Sequence, residues 1–186
     1  MAAKRKSLRG RLLLDGGNLS GSWFHRAVVL VCQHDAEGAF GLVLNRLTGS
    51  SLGDAVESDL PESAKSLGLR AGGPVQTEAF SFLSGGDFLP NGSVMPGIDH
   101  GHSIEDFMEL LAAGPSSQRL LAFAGYSGWS AGQLEEELAR SAWVVHPATP
   151  KLVFDPDPTT LWRRILRGKG GLFRLLSDSP EDLGLN

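Results

Sequence analysis

The chain has 186 residues, 41% hydrophobic and 20% charged, with a formal net charge of −4, so a single domain is the default reading. Its 24 Gly and 10 Pro lie scattered, which excludes collagen-like and low-complexity chains, and one cysteine excludes an intramolecular disulfide or a cysteine-clustered metal site. The longest apolar stretches, such as residues 27–32, are far short of the roughly 20 needed to span a bilayer, so a soluble, intracellular α+β domain is expected.

Residues 1–11 hold five cations (Lys4, Arg5, Lys6, Arg9 and Arg11) and no acid. The three leucines that follow are too few for a secretory signal, which wants about 7–15 apolar residues. A basic, frayed tail over 1–11 and one domain over 12–186 are therefore expected. The first strong element is AVVLVCQH, residues 27–34, joined by a DAEG turn to AFGLVLN. Two apolar runs so joined predict a hairpin, which Asn45 and Arg46 close. Alternation puts Val28, Leu30, Cys32 and His34 on one face and Val29, Val31 and Gln33 on the other, so both faces are buried at its centre.

Short helices are predicted over 51–60 and 62–69, separated by Pro61. Gly72, Gly73 and Pro74 force a turn. Residues 80–83 predict a short strand and 85–101 a loop punctuated by Pro90, Asn91, Gly92, Pro96 and Gly97. Ser103 predicts an N-cap, with Glu105 and Asp106 in the first turn, Ile104, Phe107, Leu110 and Leu111 as the apolar stripe, and Gly114-Pro115 as the stop. A buried strand over 119–125 leads through GYSGWS to a helix over 131–141. A strand over 142–146 is stopped by Pro147. Asp157-Pro158 opens a helix over 159–167 that ends at Gly168, and a second short helix covers 172–177. No internal repeat and no long linker divides the chain.

Several patterns carry candidate chemistry. Residues 128–132 spell G-x-S-x-G, the pattern of a nucleophile elbow. The only downstream histidine is His146, however, and the only acids between them, Glu135, Glu136 and Glu137, lie on the helix that the elbow itself would start. A capping box from Ser130 to Gln133 explains the same residues more simply. Cys32 and His34 have nucleophile–base chemistry, yet a thiol inside an apolar run belongs to a core. Asp99, His100, His102 and Glu105 have metal-ligand chemistry on a glycine-rich loop, where such groupings also arise by chance. Residues 167–171 lack the leading glycine and the Ser/Thr of a phosphate loop. The helix carrying Trp162 to Arg167 is basic on one side and apolar on the other, which suits packing on its own domain with arginine heads turned outward.

Charge is uneven. Residues 12–161 carry 7 cations against 18 acids, a net of −11, and the other cations sit at the two ends. An acidic body repels phosphate backbones, so no sequence-specific nucleic-acid binding is expected.

The segments FHRAVVLVCQHDAEGAFGLVLNR, GGPV and FAGYSGWSAGQLEEELARSAWVVHPA, in this order and spacing, resemble the YqgE/AlgH family, and the terminal LGLN fits the way its members end. The resemblance runs from about Gly10 to the C-terminus. It implies a bacterial, cytoplasmic, single-domain α+β protein, whose irregular mixed sheet folds into a pseudo-barrel with helices packed outside. No catalytic residue or cofactor is established for the family, and one branch is named for a proposed transcriptional role in alginate synthesis. The matching positions are Arg26, His34, Gly41, Asn45 and Arg46, then Gly73 and Pro74, then Gly125, Gly128, Trp129, Gly132, Gln133, Glu137 and Trp143. Ala27 stands where a serine is usual, residues 16–23 are glycine-richer than usual, and Ser130 lies where members vary. The histidines of DHGH are outside the pattern.

Two function classes remain. One is a non-catalytic regulatory or interaction protein that acts through a protein partner or small ligand, with no metal, cofactor or membrane involved. The other is a small-ligand binder or enzyme whose pocket is built from His34, Asn45, Arg46, Trp129 and Gln133.

Overall fold

The run after Ala27 forms β2 (Val28–Asp35), which turns into β3 (Gly38–Val43), the hairpin expected from the alternation. The structure is a computed structural model that describes residues 7–56, 59–86, 88–89, 91–112 and 119–180. The three leucines ahead of the hairpin form a further strand, β1 (Arg11–Asp15), antiparallel to β2. Leu12 lies opposite Leu30, which lies opposite Leu42, while Leu13, Val29 and Val43 form the row on the other face. Both rows are fully buried because each has its own core. Residues 1–6 of the expected tail lie outside the described residues. Residues 7–11 run along β2 instead, with Gly10 N–H donating to the Val31 carbonyl at 2.8 Å.

The chain continues through β4 (Leu47–Ser51), α1 (Leu52–Ala55), α2 (Glu62–Lys65) and β5 (Gly68–Ala71). The two helices expected here shrink to four residues each. Segments this short cannot repay helix nucleation, and their flanks gain strand pairing instead: Leu47 lies opposite Arg70, and residues 69–71 run parallel to a later strand. Next come β6 (Val75–Ser84), β7 (Ser93–Met95), β8 (Ile98–Gly101) and α3 (Ile104–Ala112). The expected loop over 85–101 therefore contains a hairpin. Met95 pairs with Ile98 across Pro96 and Gly97 (φ 78°), the proline-then-positive-φ order of a type II turn. Ser103 caps α3 as expected, accepting from Asp106 N–H at 3.2 Å; the stop at Gly114-Pro115 lies outside the described residues.

β9 (Leu120–Ser130) is longer than expected and runs through GYSGWS as strand. Then follow α4 (Gln133–Ala139), β10 (Trp143–Pro147), α5 (Pro150–Val153), a 3-10 turn (Pro158–Thr160), α6 (Leu161–Lys169) and α7 (Gly171–Asp178). The helix expected to stop at Gly168 runs on to Lys169.

The strands join as β10-β1-β2-β3-β9-β6-β8-β7, with β5 also on β9 and β4 on β5. The result is an α+β fold: a curled, mostly antiparallel half-barrel with helices on its outside. One face of β1–β3 packs with Phe123, Leu83 and the α6 residues Trp162, Ile165 and Leu166. The other packs with Trp129, Trp143 and Leu134 of α4. Phe82, Phe107 and Ala122 centre a third core under α3.

Candidate functional site

The residues expected to share a pocket are largely engaged in local hydrogen bonds. Asn45 binds backbone at both ends of its amide: Oδ1 accepts Val28 N–H at 2.8 Å and Nδ2 donates to the Arg26 carbonyl at 2.8 Å. It thereby pins the loop before β2 at Arg26, which holds a positive φ of 55°. Arg46 donates to the His25 carbonyl at 3.2 Å and covers the Trp23 ring at 4.6 Å; its burial lowers its pKa from the ordinary value. Arg26 ties the same loop to the C-terminal end through the Ser179 and Pro180 carbonyls. These polar side chains hold a long connection against the sheet.

Trp129 and Gln133 meet at Glu137. That carboxylate accepts the Trp129 indole N–H at 2.8 Å, the Trp143 indole N–H at 2.7 Å and the Gln133 amide at 3.0 Å. The expected capping box is half formed. Gln133 Oε1 accepts Ser130 N–H at 3.1 Å, but the N-cap is Gly132 (φ 80°), and the Ser130 hydroxyl donates to Gln133 at 3.2 Å. Ser130 thus stands on a strand, opposite Gly38, and not on the strained turn that a nucleophile elbow requires.

A bulge separates His34 from Cys32. Val31 lies opposite Gly41 and Gln33 opposite Phe40, so Cys32 is the extra residue and the alternation inverts after it. Cys32 stays in the first core, where burial pushes its thiol pKa well up. His34 turns toward α4: its Nε2 lies 3.3 Å from Glu135, and its Nδ1 accepts Leu8 N–H at 2.9 Å. The placement of both on one face is therefore corrected, and the pair forms no nucleophile and base.

The family-matched glycines serve close approach. A Cβ on Gly73, just before Pro74, would lie 2.0 Å from the Tyr126 carbonyl, and one on Gly41 2.7 Å from the Leu30 oxygen. Gly125 (φ 70°) lies where the Gly72-Gly73 turn crosses β9, and the buried Ser127 hydroxyl locks that crossing by donating to the Gly72 carbonyl at 3.1 Å. Gly128 lies opposite Phe40 and so leaves that face of β9 to the Phe40 and Tyr126 rings.

Those two rings belong to a cleft of about 1170 Å³ between the β2–β3 hairpin and strands β6, β7 and β8. Phe40 lies 5.1 Å from Tyr126 and 5.0 Å from His100, whose ring is 6.2 Å from His102. Burial first, then the neighbouring His102, pushes the His100 pKa down to about 4, so its imidazole is neutral at pH 7. Of the five expected pocket residues, His34 alone lines the cleft. Asp99 does not join the histidines as a ligand: it is fully buried, and its Oδ2 accepts Phe88 N–H and Leu89 N–H at 2.6 and 2.9 Å. Among the described residues no group of three or more His, Cys, Asp or Glu could hold a metal ion, and no helix is long and apolar enough to cross a membrane.

Sequence reasoning missed Phe40, Tyr126 and Gln76 as cleft residues. The one available signal was that Tyr126 is the only tyrosine of the chain and sits inside the GYSGW block.

A family model described as AlgH-like matches residues 12–174. A UPF0301 protein of Chlorobium luteolum is 39% identical over 186 residues, covering 95% of this chain and 94% of its own. One from Chlamydia caviae is 34% identical, covering 96% and 95%. The solution structure of the AlgH protein from Pseudomonas aeruginosa superposes with a TM-score of 0.73 at 27% identity, covering 98% of this chain and all of that one. A crystal structure from Corynebacterium diphtheriae, 20% identical and covering 95% of each chain, gives a TM-score of 0.76 and shares the fold. With its fold, its glycine crossing and its Trp–Glu–Trp cluster all carried by the matched residues, this chain belongs to the AlgH-like, UPF0301 family.

Proposed function

We propose that this protein is a non-catalytic regulatory protein whose input is a small ligand bound in the cleft beside the β2–β3 hairpin. The observation that carries this reading is the cleft itself: about 1170 Å³, walled by the half-buried rings of Phe40, Tyr126 and His100. A concavity with aromatic walls and a few polar groups is the usual form of a ligand site. Three features speak against catalysis. The Cys32 thiol is buried, held protonated and directed to the Leu30 carbonyl, the His34 imidazole meets Glu135, and the Ser130 hydroxyl is engaged with Gln133.

The experiment is a fragment screen by NMR on the full chain, read at the ring signals of Tyr126, the sole tyrosine. Fragments that shift Tyr126 saturably, and cease to do so in Ser93→Trp, which fills the mouth from an exposed β7 position, support the reading. Fragments that bind only elsewhere, or none that bind, sink it.

A further inference from the structure

The cleft has a chemistry more specific than its size. Tyr126, Phe40, His100 and His102 are successive ring neighbours along one wall, at 5.1, 5.0 and 6.2 Å. Phe40 is tilted by 39° to Tyr126 and by 52° to His100, so the file offers separate ring faces to anything that enters. The same cleft is lined by two side-chain amides, Gln76 and Asn91, both exposed. Among the described residues neither amide makes a hydrogen bond, and the Tyr126 hydroxyl makes none either.

Gln76 is unusual in its backbone as well. Val75 lies opposite Tyr126 and Phe80 opposite Ala124, so residues 76–79 leave the ladder against Gly125 alone and arch over the cleft. Within this arch Gln76 holds a φ of 44°, a left-handed conformation that favours glycine. Strain of this kind collects where a side chain must be presented in one place.

We propose that the cleft binds a planar nitrogen heteroaromatic ring of the purine type, stacked on the Phe40–Tyr126 wall with its edge read by the amides of Gln76 and Asn91. A carboxamide offers a donor beside an acceptor, the pattern that pairs with the edge of an adenine-type ring. Stacking on aromatic side chains holds any such ring, so rings and amides together supply affinity and selection. A hydrocarbon chain would bury the amides unpaired, at a cost. Arg9, Asp35 and Asp106 all line the cleft, so charges of both signs meet whatever enters.

This inference rests on the cleft being a ligand site, and the test separates the two. Adenosine, glucose and octanoate are titrated into the full chain, with Tyr126 and His100 ring signals as the readout. Adenosine is expected to shift both saturably and the other two to shift neither. Gln76→Gly relieves the positive φ, so it should fold at least as stably while weakening adenosine about ten-fold, and Tyr126→Leu should weaken it similarly. Saturable shifts from glucose or octanoate without adenosine would keep the cleft as a site and overturn the heteroaromatic assignment. So would adenosine binding that neither variant weakens. If none of the three probes shifts the rings, the heteroaromatic assignment fails, while the fragment screen decides the cleft itself.

Discussion

Glu137 accepts the indole N–H of Trp129 at 2.8 Å, and its same oxygen accepts the indole of Trp143 at 2.7 Å. The two indoles are edge to face at 6.1 Å and 5–6% exposed, so one carboxylate satisfies two buried donors from two strands. This explains why Trp129, Gln133, Glu137 and Trp143 occur together: they dock α4 onto the sheet.

Removing that acceptor leaves both indoles unsatisfied, at about 1–3 kcal/mol each. Glu137→Ala is expected to destabilise the fold by about 2–4 kcal/mol in urea unfolding, with a changed native tryptophan emission. Glu137→Gln keeps one acceptor oxygen and should lose about half as much. A loss below 1 kcal/mol for Glu137→Ala would show that α4 docks without this cluster.

Cys32 is 6% exposed and packed in the first core. Native labelling by a thiol reagent at neutral pH should be slow and become fast in denaturant. Burial raises the thiol pKa in the folded state, whereas the unfolded thiol ionises near pH 8.5. Above that pH the unfolded state binds fewer protons, so stability falls as pH rises. Cys32→Ala should flatten that part of the profile, and an unchanged slope would count against a buried thiol.

The hairpin was legible in the sequence because Val28 to Val31 alternate against two cores. The position of His34 was not, because the bulge at Cys32 inverts the alternation and leaves no mark in residue type. The arch at 76–79 is hidden for the same reason: nothing in Gln-Thr-Glu-Ala announces a positive φ. Ser51, Gly68 and Leu69 read as the ends of helices because the strand state of β5, on which β4 pairs, depends on β9, some fifty residues downstream. Polar residues within the matched segments suggested a pocket, whereas Asn45, Arg46 and Gln133 spend their hydrogen bonds on loops and caps. Sequence gives the residue types that meet, and tertiary pairing decides which face they meet on.

His100 supplies a second pH dependence of opposite sign. Its folded pKa of about 4 lies below the ordinary 6.5, so the unfolded state takes up a proton first as pH falls. Stability from this group is full above pH 6.5 and is lost between 6.5 and about 4, at most about 3 kcal/mol in all. Comparing the stability of the protein with that of His100→Phe between pH 7 and 4 isolates it. Equal slopes would show that the imidazole is not held neutral.

Ser130 is exposed, and its hydroxyl meets only the Gln133 side chain, while Gly132 caps α4. Ser130→Ala is therefore expected to cost less than about 0.5 kcal/mol, below the usual price of a lost N-cap. A serine-directed phosphonate should leave the protein unmodified. Covalent attachment at Ser130 would return the hydrolase reading.

Specific DNA binding needs phosphate contacts for register and base-edge contacts for sequence. The body offers neither, since residues 12–161 carry a net charge of −11. Outside residues 1–11, five cations gather on α6 and α7: Arg163, Arg164, Arg167, Lys169 and Arg174. Much of it is already engaged: Arg164 pairs with Asp155 and Arg167 with Asp178, both at 2.7 Å, and Arg163 donates to the Ser177 carbonyl. Phosphates would have to displace those partners, and the buried side of α6 is turned to the core. Any binding should therefore be weak, blind to sequence and steeply weakened by salt. We expect a competition titration at physiological salt, genomic promoter pool against random duplex, to show no selective retention. Retention of one sequence that survives deletion of residues 1–6 and is lost in Arg163→Ala/Arg174→Ala would place a reading surface on α6–α7 and overturn this expectation.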